Sequence, residues 1–185
     1  MRIIGGDAGG RRLTAPEGTE TRPTADKTRE SLFNILVRRV PDARVLDLFG
    51  GTGALALEAM SRGAVSAVIC DVSSKAAKAI QTNIQTVMKD RPGVRFLKTD
   101  YKKALETLAG EQFDLVFLDP PYRLTDSYGF VCGYLREHDM LADDGIIVAE
   151  RSAQAVIAYP EGFTVFDTRN YRDTAVDFLR AEAAQ

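Results

Sequence analysis

Short apolar runs alternate with longer amphipathic stretches along most of the chain, and this alternation predicts strands and helices in turn. Runs of five or six largely apolar residues are typical of strands buried on both faces of a parallel sheet. These runs occupy residues 44–48, 66–70, 94–98, 113–118 and 145–150. Two further strands are predicted at residues 163–168 and 174–180, joined by a turn near Tyr171–Asp173.

Helices are predicted between these strands, where apolar side chains recur every three or four residues. They cover Ala54–Arg62, Ser73 or Ser74 to Met88, Tyr101–Leu108 and a segment ending near Leu135. Strands that alternate with helices and end in a hairpin indicate an α/β fold class. We predict a doubly wound sheet of about seven strands, mostly parallel, with one late antiparallel strand.

The first 40 residues do not follow this alternation. Four glycines separate residues 2–4 from residues 11–14, which predicts a short glycine-turned β-hairpin. A loop rich in Pro, Thr and Gly follows at residues 15–24. Thr24 is positioned to cap the next helix, whose apolar stripe ends near Pro41.

Charge is distributed unevenly between this front end and the rest of the chain. Residues 1–44 carry 9 Lys/Arg and 6 Asp/Glu, whereas the remainder carries 15 and 20, within an overall charge of −2. A basic segment on an acidic body favours contact with a polyanion. We therefore divide the chain into a docking extension, residues 1–40, and a main domain, residues 41–185. An ordinary mixture of solvated charges is the alternative, because the excess is small.

Composition indicates one compact domain in a reducing, cytoplasmic setting. A chain of 185 residues, 45% hydrophobic, can bury a sizeable core without disulfides. Cys70 and Cys132 lack metal-ligand or redox spacing, and no apolar run approaches the length of a membrane span. His138, the single histidine, has no Cys or His at ligand spacing. We expect no metal, no thiol chemistry, no membrane contact and a monomer.

A glycine-rich loop and an acidic strand end suit a nucleotide-like cofactor. The loop Phe49–Gly53 follows a strand and precedes a helix, and its glycines allow a ligand to approach the backbone. Asp71 lies 18 residues after Gly53, where an acid can bind ribose hydroxyls. The alternatives are a tight turn without a ligand and an aspartate that only caps a helix. No loop ends in Gly-Lys-Ser/Thr, so an NTP-binding loop is not predicted.

The strongest candidate for chemistry is Asp119-Pro120-Pro121-Tyr122, which follows a strand with five apolar residues in six. Ligands of open α/β sheets bind at the carboxyl ends of strands. Asp119 and the Pro120 carbonyl can each accept an N–H, and Tyr122 can stack on a planar ring. Such a set suits methylation of an exocyclic amino group. The alternative is a strand ended by prolines, with Asp119 as a cap and Tyr122 in the core.

These motifs together resemble Rossmann-type S-adenosylmethionine-dependent methyltransferases. The residues that carry the resemblance are, in order, Asp47-Leu-Phe-Gly-Gly-Thr-Gly53, Asp71, Asp100 and Asp119-Pro-Pro-Tyr122. Four N-terminal segments narrow the resemblance to the bacterial 16S rRNA guanine-N2 methyltransferase family: Arg2-Ile-Ile-Gly-Gly, Gly10-Arg-Arg-Leu, Arg22-Pro-Thr and Arg29-Glu-Ser-Leu-Phe-Asn-Ile-Leu36. The resemblance covers nearly the whole chain and implies a Rossmann-like methyltransferase sheet.

The resemblance also implies a cofactor, a substrate and residue roles. S-adenosyl-L-methionine would be the cofactor, and 16S rRNA or the small ribosomal subunit the partner. Cofactor-binding residues would be Asp47, Phe49, Gly51, Gly53, Asp71 and Asp100. Asp119, Pro120, Pro121 and Tyr122 would hold the guanine for direct in-line methyl transfer. RNA would meet Arg22, Thr24 and Arg29, together with Arg2, Arg11 and Arg12 of the hairpin. We expect the glycine loop and the Asp119–Tyr122 corner to face one cavity.

Three positions depart from the family pattern. Asp71 stands where the family often has Glu, and Gly50-Gly51-Thr52 stands where Ala-Gly-Ser is common. Arg172 replaces a glycine expected before Asp173, which leaves the geometry of the C-terminal turn open. Other readings are an adenine-N6 nucleic-acid methyltransferase, which usually carries a target-recognition domain, and a non-catalytic RNA-binding assembly factor on the same fold. Glutamine methylation of a protein more often shows Asn at position 119.

Overall fold

The computed structural model describes residues 1–16, 23–89 and 91–182, apart from the side chains of residues 23–25. The helices of this part are α1 (Pro23–Ile35), α2 (Ala54–Ser61), α3 (Ser74–Met88), α4 (Tyr101–Thr107) and α5 (Asp126–Glu137). The strands are β1 (Arg44–Asp47), β2 (Ser66–Cys70), β3 (Val94–Leu97), β4 (Phe113–Leu118), β5 (Leu141–Ser152), β6 (Phe163–Tyr171) and β7 (Thr174–Ala181). None of the described helices is long and apolar enough to cross a membrane.

The seven strands form one sheet in the order β3-β2-β1-β4-β5-β7-β6. Strands β1 to β5 pair in parallel, whereas β7 runs antiparallel to both β5 and β6. The predicted fold class and the single late antiparallel strand are therefore confirmed. The chain runs outward from β1 to β3 and then returns to β4, so the strand order reverses between β1 and β4. Ligands of doubly wound sheets bind at this kind of switch point, beyond the carboxyl ends of the strands.

Both faces of the sheet are covered, because successive side chains of a strand point to opposite faces. Leu115 and Phe117 of β4 pack in one apolar cluster with α1, α2 and α3. Val116 and Leu118 pack in a second cluster with α4 and α5. Two-sided burial explains why the strands appear in the sequence as nearly continuous apolar runs.

Element boundaries differ most from the sequence-based ones at the two ends of α1, at the start of β5 and at the end of β6, which reaches Tyr171 and not residue 168. Helix α1 begins at Pro23, so the prediction of Thr24 as its N-cap is wrong. Proline suits the first helical position, where its missing N–H would have no partner. The same helix ends at Ile35, before the predicted end near Pro41, and a series of turns follows. Strand β5 begins at Leu141, four residues before the predicted start, because Leu141 pairs with Phe113 of β4.

The predicted N-terminal hairpin is smaller than two full strands. It contains a single antiparallel bridge, between Arg2 and Arg12. The Ile3 amide donates to the Arg11 carbonyl at 2.9 Å, and the Leu13 amide donates to the Met1 carbonyl at 3.1 Å. Ile3 and Leu13 are both buried in the same apolar cluster as α1 and α2. The extension is thus packed on the shared core, and its separate docking role stays a prediction.

A buried carboxylate on α2 attaches this extension to the domain. Glu58 is fully buried, and its two oxygens accept the amides of Ile4 at 2.7 Å and Gly5 at 2.8 Å. Arg62 donates to the same carboxylate at 2.7 Å, and the Arg29 Nε lies 3.7 Å from it. A buried charge with this many partners is costly to remove, because its donors would lose their acceptor.

Candidate functional site

The loop after β1 crosses the carboxyl edge of the sheet with a tightly fixed backbone. The Gly50 amide donates to the Cys70 carbonyl at 2.8 Å, and the Gly53 amide donates to the Gly50 carbonyl at 2.6 Å. A Cβ at Gly50 would lie 2.4 Å from the Ile69 Cγ2, so a side chain does not fit there. Gly51 has φ of 57°, and a Cβ at this position would meet open space. The loop therefore presents bare backbone to a cavity.

Asp47 ends β1 and is only 1% exposed. Within the described part of the chain, neither of its carboxylate oxygens has a hydrogen-bond partner. Burial raises the pKa of Asp47 to about 7, although the nearby amides of Phe49 and Ala56 act in the opposite direction. A buried acid without partners is a site that a ligand amino group can satisfy. This orphaned carboxylate fits the amino group of the methionine part of the expected cofactor.

Two further acids line the same region and also hold the local backbone. Asp71 accepts the amides of Gly51 and Ser73, each at 2.8 Å. Asp100 caps α4 by accepting the amides of Lys102 and Lys103 at 3.0 and 3.2 Å. A carboxylate has about four acceptor positions, so each acid can still bind a ligand hydroxyl or amine.

A cavity of about 680 Å³ joins the glycine loop, Asp71 and Asp100 to the Asp119–Tyr122 corner, and we call it the loop cavity; Asp47 and Gly53 are not part of its lining. Its lining includes Phe49, Gly51, Asp71, Asp100 and the whole Asp119–Tyr122 segment. The prediction that the glycine loop and the corner face one cavity is confirmed. The volume lies within the range of about 300–1,000 Å³ that is usual for small-molecule sites.

A second cavity, of about 590 Å³, opens on the other side of the corner, and we call it the hairpin cavity. Its walls come from Met1, from Thr28, Arg29 and Leu32 of α1, and from Tyr171–Thr174 at the turn between β6 and β7. Five residues line both cavities: Phe49, Gly51, Asp119, Tyr122 and Glu150. The two spaces therefore meet at the carboxyl ends of β4 and β5.

Asp119 and Glu150 are neighbours at this meeting point. Strands β4 and β5 pair in parallel with Leu118 opposite Ala149, so the next residues of the two strands are Asp119 and Glu150. The Asp119 side chain is exposed to the cavity but has protein on most sides. Poor solvation and the charges of Glu150 and Asp47 raise its pKa well above the usual range. Burial likewise raises the pKa of Glu150.

Tyr122 stands at the cavity entrance with 68% of its surface exposed. The alternative that it packs in the core is wrong. The Pro121 carbonyl accepts the Leu124 amide at 2.8 Å, which closes the turn that presents Tyr122. Pro120 and Pro121 line the loop cavity beside it. An exposed ring at a cavity entrance is available for stacking on a base.

Two of the predicted RNA-binding arginines are free in the described part of the chain. Arg2 and Arg12 lie opposite each other in the N-terminal bridge, and both side chains are exposed. No hydrogen bond or ion pair to another described residue involves either guanidinium. Like charges directly opposite each other are destabilising in a β-ladder, and a bound phosphate would relieve that repulsion.

The other predicted RNA-binding residues are placed differently. The Arg11 guanidinium donates to the carbonyls of Thr86 and Val87 near the end of α3. Arg29 is 5% exposed and donates to the Arg2 carbonyl and to Asp26, although it also reaches the hairpin cavity. Arg22 and the side chain of Thr24 lie outside the described residues.

Sequence reasoning missed Glu150 and treated Arg172 only as a departure from the family pattern. Glu150 is the last residue of the strand predicted at residues 145–150. This strand follows the one that ends before Asp119, and that position was the available signal. Arg172 has φ of 52°, the left-handed conformation that glycine adopts at no steric cost, and it lines the hairpin cavity. The turn thus keeps the backbone that a glycine would favour.

The remaining reactive side chains have structural surroundings. Burial raises the pKa values of Cys70 and Cys132 to about 12, so both remain protonated thiols at neutral pH. His138 ends α5, with its ring 4.0 Å from that of Tyr134. Among the described residues, no group of three or more His, Cys, Asp or Glu side chains is arranged to hold a metal ion.

Comparison with known proteins gives relatives over nearly the whole chain. The family described as "Conserved hypothetical protein 95" matches residues 1–180. The "Putative rRNA methyltransferase YlbH" of Bacillus subtilis is 37% identical over 156 residues, which cover 83% of this chain and 84% of that protein. The "Ribosomal RNA small subunit methyltransferase D" of Escherichia coli is 35% identical over 83% of this chain and 76% of its own length.

Solved structures with the same fold carry similar names. The "Putative methyltransferase yhhF from Escherichia coli" superposes with a TM-score of 0.85 and 31% identity, covering 100% of this chain and 99% of its own. A more distant structure, "SMU.776, a putative methyltransferase complexed with SAH", has a TM-score of 0.67 and 16% identity. That likeness concerns the fold alone, over 82% of this chain and 48% of the other.

Proposed function

We propose that this chain, which belongs to the family described as Conserved hypothetical protein 95, is an S-adenosylmethionine-dependent methyltransferase acting on the exocyclic N2 amino group of a guanine in 16S rRNA. One observation carries the proposal: the glycine loop and the Asp119–Tyr122 corner line a single cavity. The names of the relatives support rRNA methylation as the coarser activity. The choice of guanine N2 rests on the sequence resemblance and on the acceptors at the corner.

The loop cavity suits the parts of the proposed cofactor. Gly51 lines this cavity and, with Gly53 and the buried Asp47 carboxylate, would hold the methionine part, although neither Asp47 nor Gly53 is among the lining residues. Asp71 binds the ribose hydroxyls, Asp100 binds the adenine amino group, and the ring of Phe49 packs near the adenine. Phe49 lies 5.3 Å from the Tyr101 ring between centroids, which gives the cavity an aromatic wall. When bound, the cofactor supplies a methyl group on a sulfonium, which is already a strong electrophile.

The residues of the corner align the target amine. Asp119 and the Pro120 carbonyl each accept one N–H of the guanine N2, which directs its lone pair towards the loop cavity. Tyr122 stacks on the base, a contact worth about 1–3 kcal/mol. As the N–C bond forms and the C–S bond breaks, the nitrogen becomes cationic and acidic. Asp119 stabilises that charge and takes the released proton, which then passes to solvent.

The raised pKa of Asp119 agrees with this role. A carboxylate whose pKa is raised accepts a released proton more readily than one at its ordinary pKa. The alignment of the amine supplies most of the rate enhancement, because the electrophile needs no further activation.

The hairpin cavity offers the route by which the base arrives. It opens between the N-terminal extension and the turn of β6 and β7. The guanidinium groups of Arg2 and Arg12, which have no partner among the described residues, lie on that extension. The guanine has to leave its stack to reach Asp119, so a loop or an unpaired target is favoured.

The test is incubation of the protein with methyl-labelled cofactor and 16S rRNA that lacks natural modifications, both as naked RNA and in small ribosomal subunits. We expect label on a single guanine, recovered as N2-methylguanosine after digestion. Label recovered as N6-methyladenosine would establish the alternative chemistry. An absence of label on both substrates, with cofactor binding intact, would favour a non-catalytic assembly factor.

A further inference from the structure

Glu150 has the position of a substrate-binding residue without an assigned role. It lies beside Asp119 in the register of β4 and β5, and it lines both the loop cavity and the hairpin cavity. The hydroxyl of Tyr128 donates to the Glu150 backbone carbonyl at 2.6 Å, which fixes the backbone at this point of β5. The side chain therefore starts from a rigid backbone position next to the proposed catalytic acid.

The Glu150 carboxylate has no counter-charge within the part of the chain that the structure describes. Its sequence neighbour Arg151 is bonded to Asp177, with Nε 2.6 Å from the carboxylate. No other described residue donates a hydrogen bond or forms an ion pair with the Glu150 side chain. A poorly solvated acid beside a second acid is unfavourable in the free protein. A ligand that brings N–H donors to both would offset that cost.

Guanine brings two such donors on the same edge. Its N1–H lies next to an N2–H and points in nearly the same direction, whereas adenine has an acceptor at N1 beside its exocyclic amine. Two neighbouring carboxylates match the guanine edge. They would place a lone pair of Glu150 against the N1 lone pair of adenine.

We propose that Glu150 is a specificity-determining residue whose carboxylate accepts the N1–H of the target guanine while Asp119 accepts an N2–H. This inference rests on the proposed function, and it adds the reason why the site selects guanine among bases with an exocyclic amine. A site built to bind a particular donor can reject an analogue lacking it by factors of 10⁴ or more, because its buried acceptor is left unpaired.

The test pairs a change in the enzyme with a change in the base. 2-Aminopurine keeps the N2 amine but lacks the O6 carbonyl of guanine, and it has an acceptor at N1 in place of the N1–H. Once the modified guanine is mapped, 16S rRNA is assembled by ligation with guanine or 2-aminopurine at that position. The ligated rRNA is supplied either as naked RNA or in reconstituted small subunits, depending on which form the wild type methylates. Single-turnover rates are measured for wild type, Glu150→Gln and, as the matched carboxylate control, Asp119→Asn.

We expect the wild type to prefer guanine over 2-aminopurine by about 10²–10⁴-fold. In Glu150→Gln the amide can donate to the N1 acceptor, so the preference should fall below about 10-fold. Asp119→Asn should slow both RNAs and retain the wild-type preference, because both bases carry the N2 amine. Binding of S-adenosylhomocysteine should be unchanged in Glu150→Gln, which separates base recognition from a folding defect.

Two outcomes would overturn the inference: no preference in the wild type, or an unchanged preference in Glu150→Gln, which equal slowing of both RNAs would produce. If the rate of Glu150→Gln is too low to measure on either RNA, binding of the 2-aminopurine RNA is measured instead, by the fluorescence of the unstacked base. The variant should then bind the unstacked base more tightly than the wild type, and equal or weaker binding would reject the inference. A wild type that does not methylate guanine N2 would instead reject the proposed function itself.

Discussion

Asp119 and Glu150 lie side by side at the carboxyl ends of two parallel strands, one register step beyond the Leu118–Ala149 pair. Both acids line two adjoining cavities, and neither has a counter-charge among the described residues. Folding alone gives no reason to keep two acids side by side without a counter-charge. Such local conflicts with stability are expected at functional sites, where the ligand supplies the missing partners.

This pair should make the free protein less stable at high pH. Because the folded-state pKa values of both acids are raised, their neutral forms favour the folded state, and that advantage is lost as pH rises through the raised pKa values. Asp119→Asn and Glu150→Gln should therefore raise the melting temperature at pH 8, by about 2–4 °C for each kcal/mol recovered. Thermal unfolding at pH 5 and pH 8 checks this. An equal shift at both pH values would contradict it, and Asp143→Asn, on the exposed part of β5, serves as the control.

Cofactor affinity should depend on pH through Asp47. Its pKa of about 7 means that the carboxylate is largely protonated at pH 6 and ionised at pH 8. Because a ligand amino group binds the ionised form, the dissociation constant for S-adenosylhomocysteine should rise as pH falls, by nearly tenfold per unit well below the pKa. Asp47→Asn should bind weakly at both pH values and lose the dependence. Calorimetric titration measures it, and a wild-type affinity that is flat between pH 6 and pH 8 would exclude Asp47 from cofactor binding.

Alanine substitutions at the neighbouring Gly50 and Gly51 should have different effects, one mainly on stability and the other mainly on cofactor affinity. At Gly51 an added Cβ meets no atom within 4 Å, so Gly51→Ala should cost only the strain of a positive φ, about 1 kcal/mol, while its methyl group obstructs the loop cavity. At Gly50 the added Cβ would meet Ile69, and overpacking should cost about 1–3 kcal/mol of stability.

Chemical unfolding and cofactor titration of both glycine variants test this distinction. Gly51→Ala should lose most of its cofactor affinity with a small change in the free energy of unfolding. Gly50→Ala should show the larger change in stability. Unchanged affinity in Gly51→Ala would mean that the cofactor does not approach this backbone.

RNA docking should depend on Arg2 and Arg12 and not on Arg11. Each phosphate contact contributes about 0.7–0.9 to the slope of log K against log salt. Replacing Arg2 and Arg12 together by Gln should reduce that slope by about 1.5, with cofactor affinity unchanged. Arg11→Gln is the matched control, because its guanidinium is bonded to carbonyls near the end of α3. It should lower stability and leave the salt slope as in the wild type; the opposite ranking would count against this docking surface.

Strand positions were predictable from sequence because a strand buried on both faces appears as a short, nearly continuous apolar run. β2 and β4 were predicted with the observed bounds, since each is an apolar run closed by a polar residue. The early start of β5 was not predictable, because Ala142, Asp143 and Asp144 do not resemble a strand, and the strand extends to them only because Leu141 pairs with Phe113 of β4.

Motif residues were predictable, but the partners of individual side chains were not. The glycine loop and Asp119–Tyr122 are each contiguous in sequence, so a role could be proposed for each from the sequence alone. Whether Arg11 reaches a phosphate or the end of α3 depends on residues about 75 positions away. In the sequence, Glu58 resembles an ordinary polar residue of a helix. Only the structure shows that it accepts the amides of Ile4 and Gly5.

The central claim is that Asp119 holds the target amine beside a cofactor bound in the loop cavity. The most direct measurement is methyl transfer to 16S rRNA by Asp119→Ala, together with the affinity of the same variant for S-adenosylhomocysteine. The account predicts a loss of turnover of about 10²–10³-fold, as for removal of one charge-stabilising group, with cofactor affinity changed less than about threefold. Near-normal methylation by Asp119→Ala, with its cofactor affinity intact, would contradict the account.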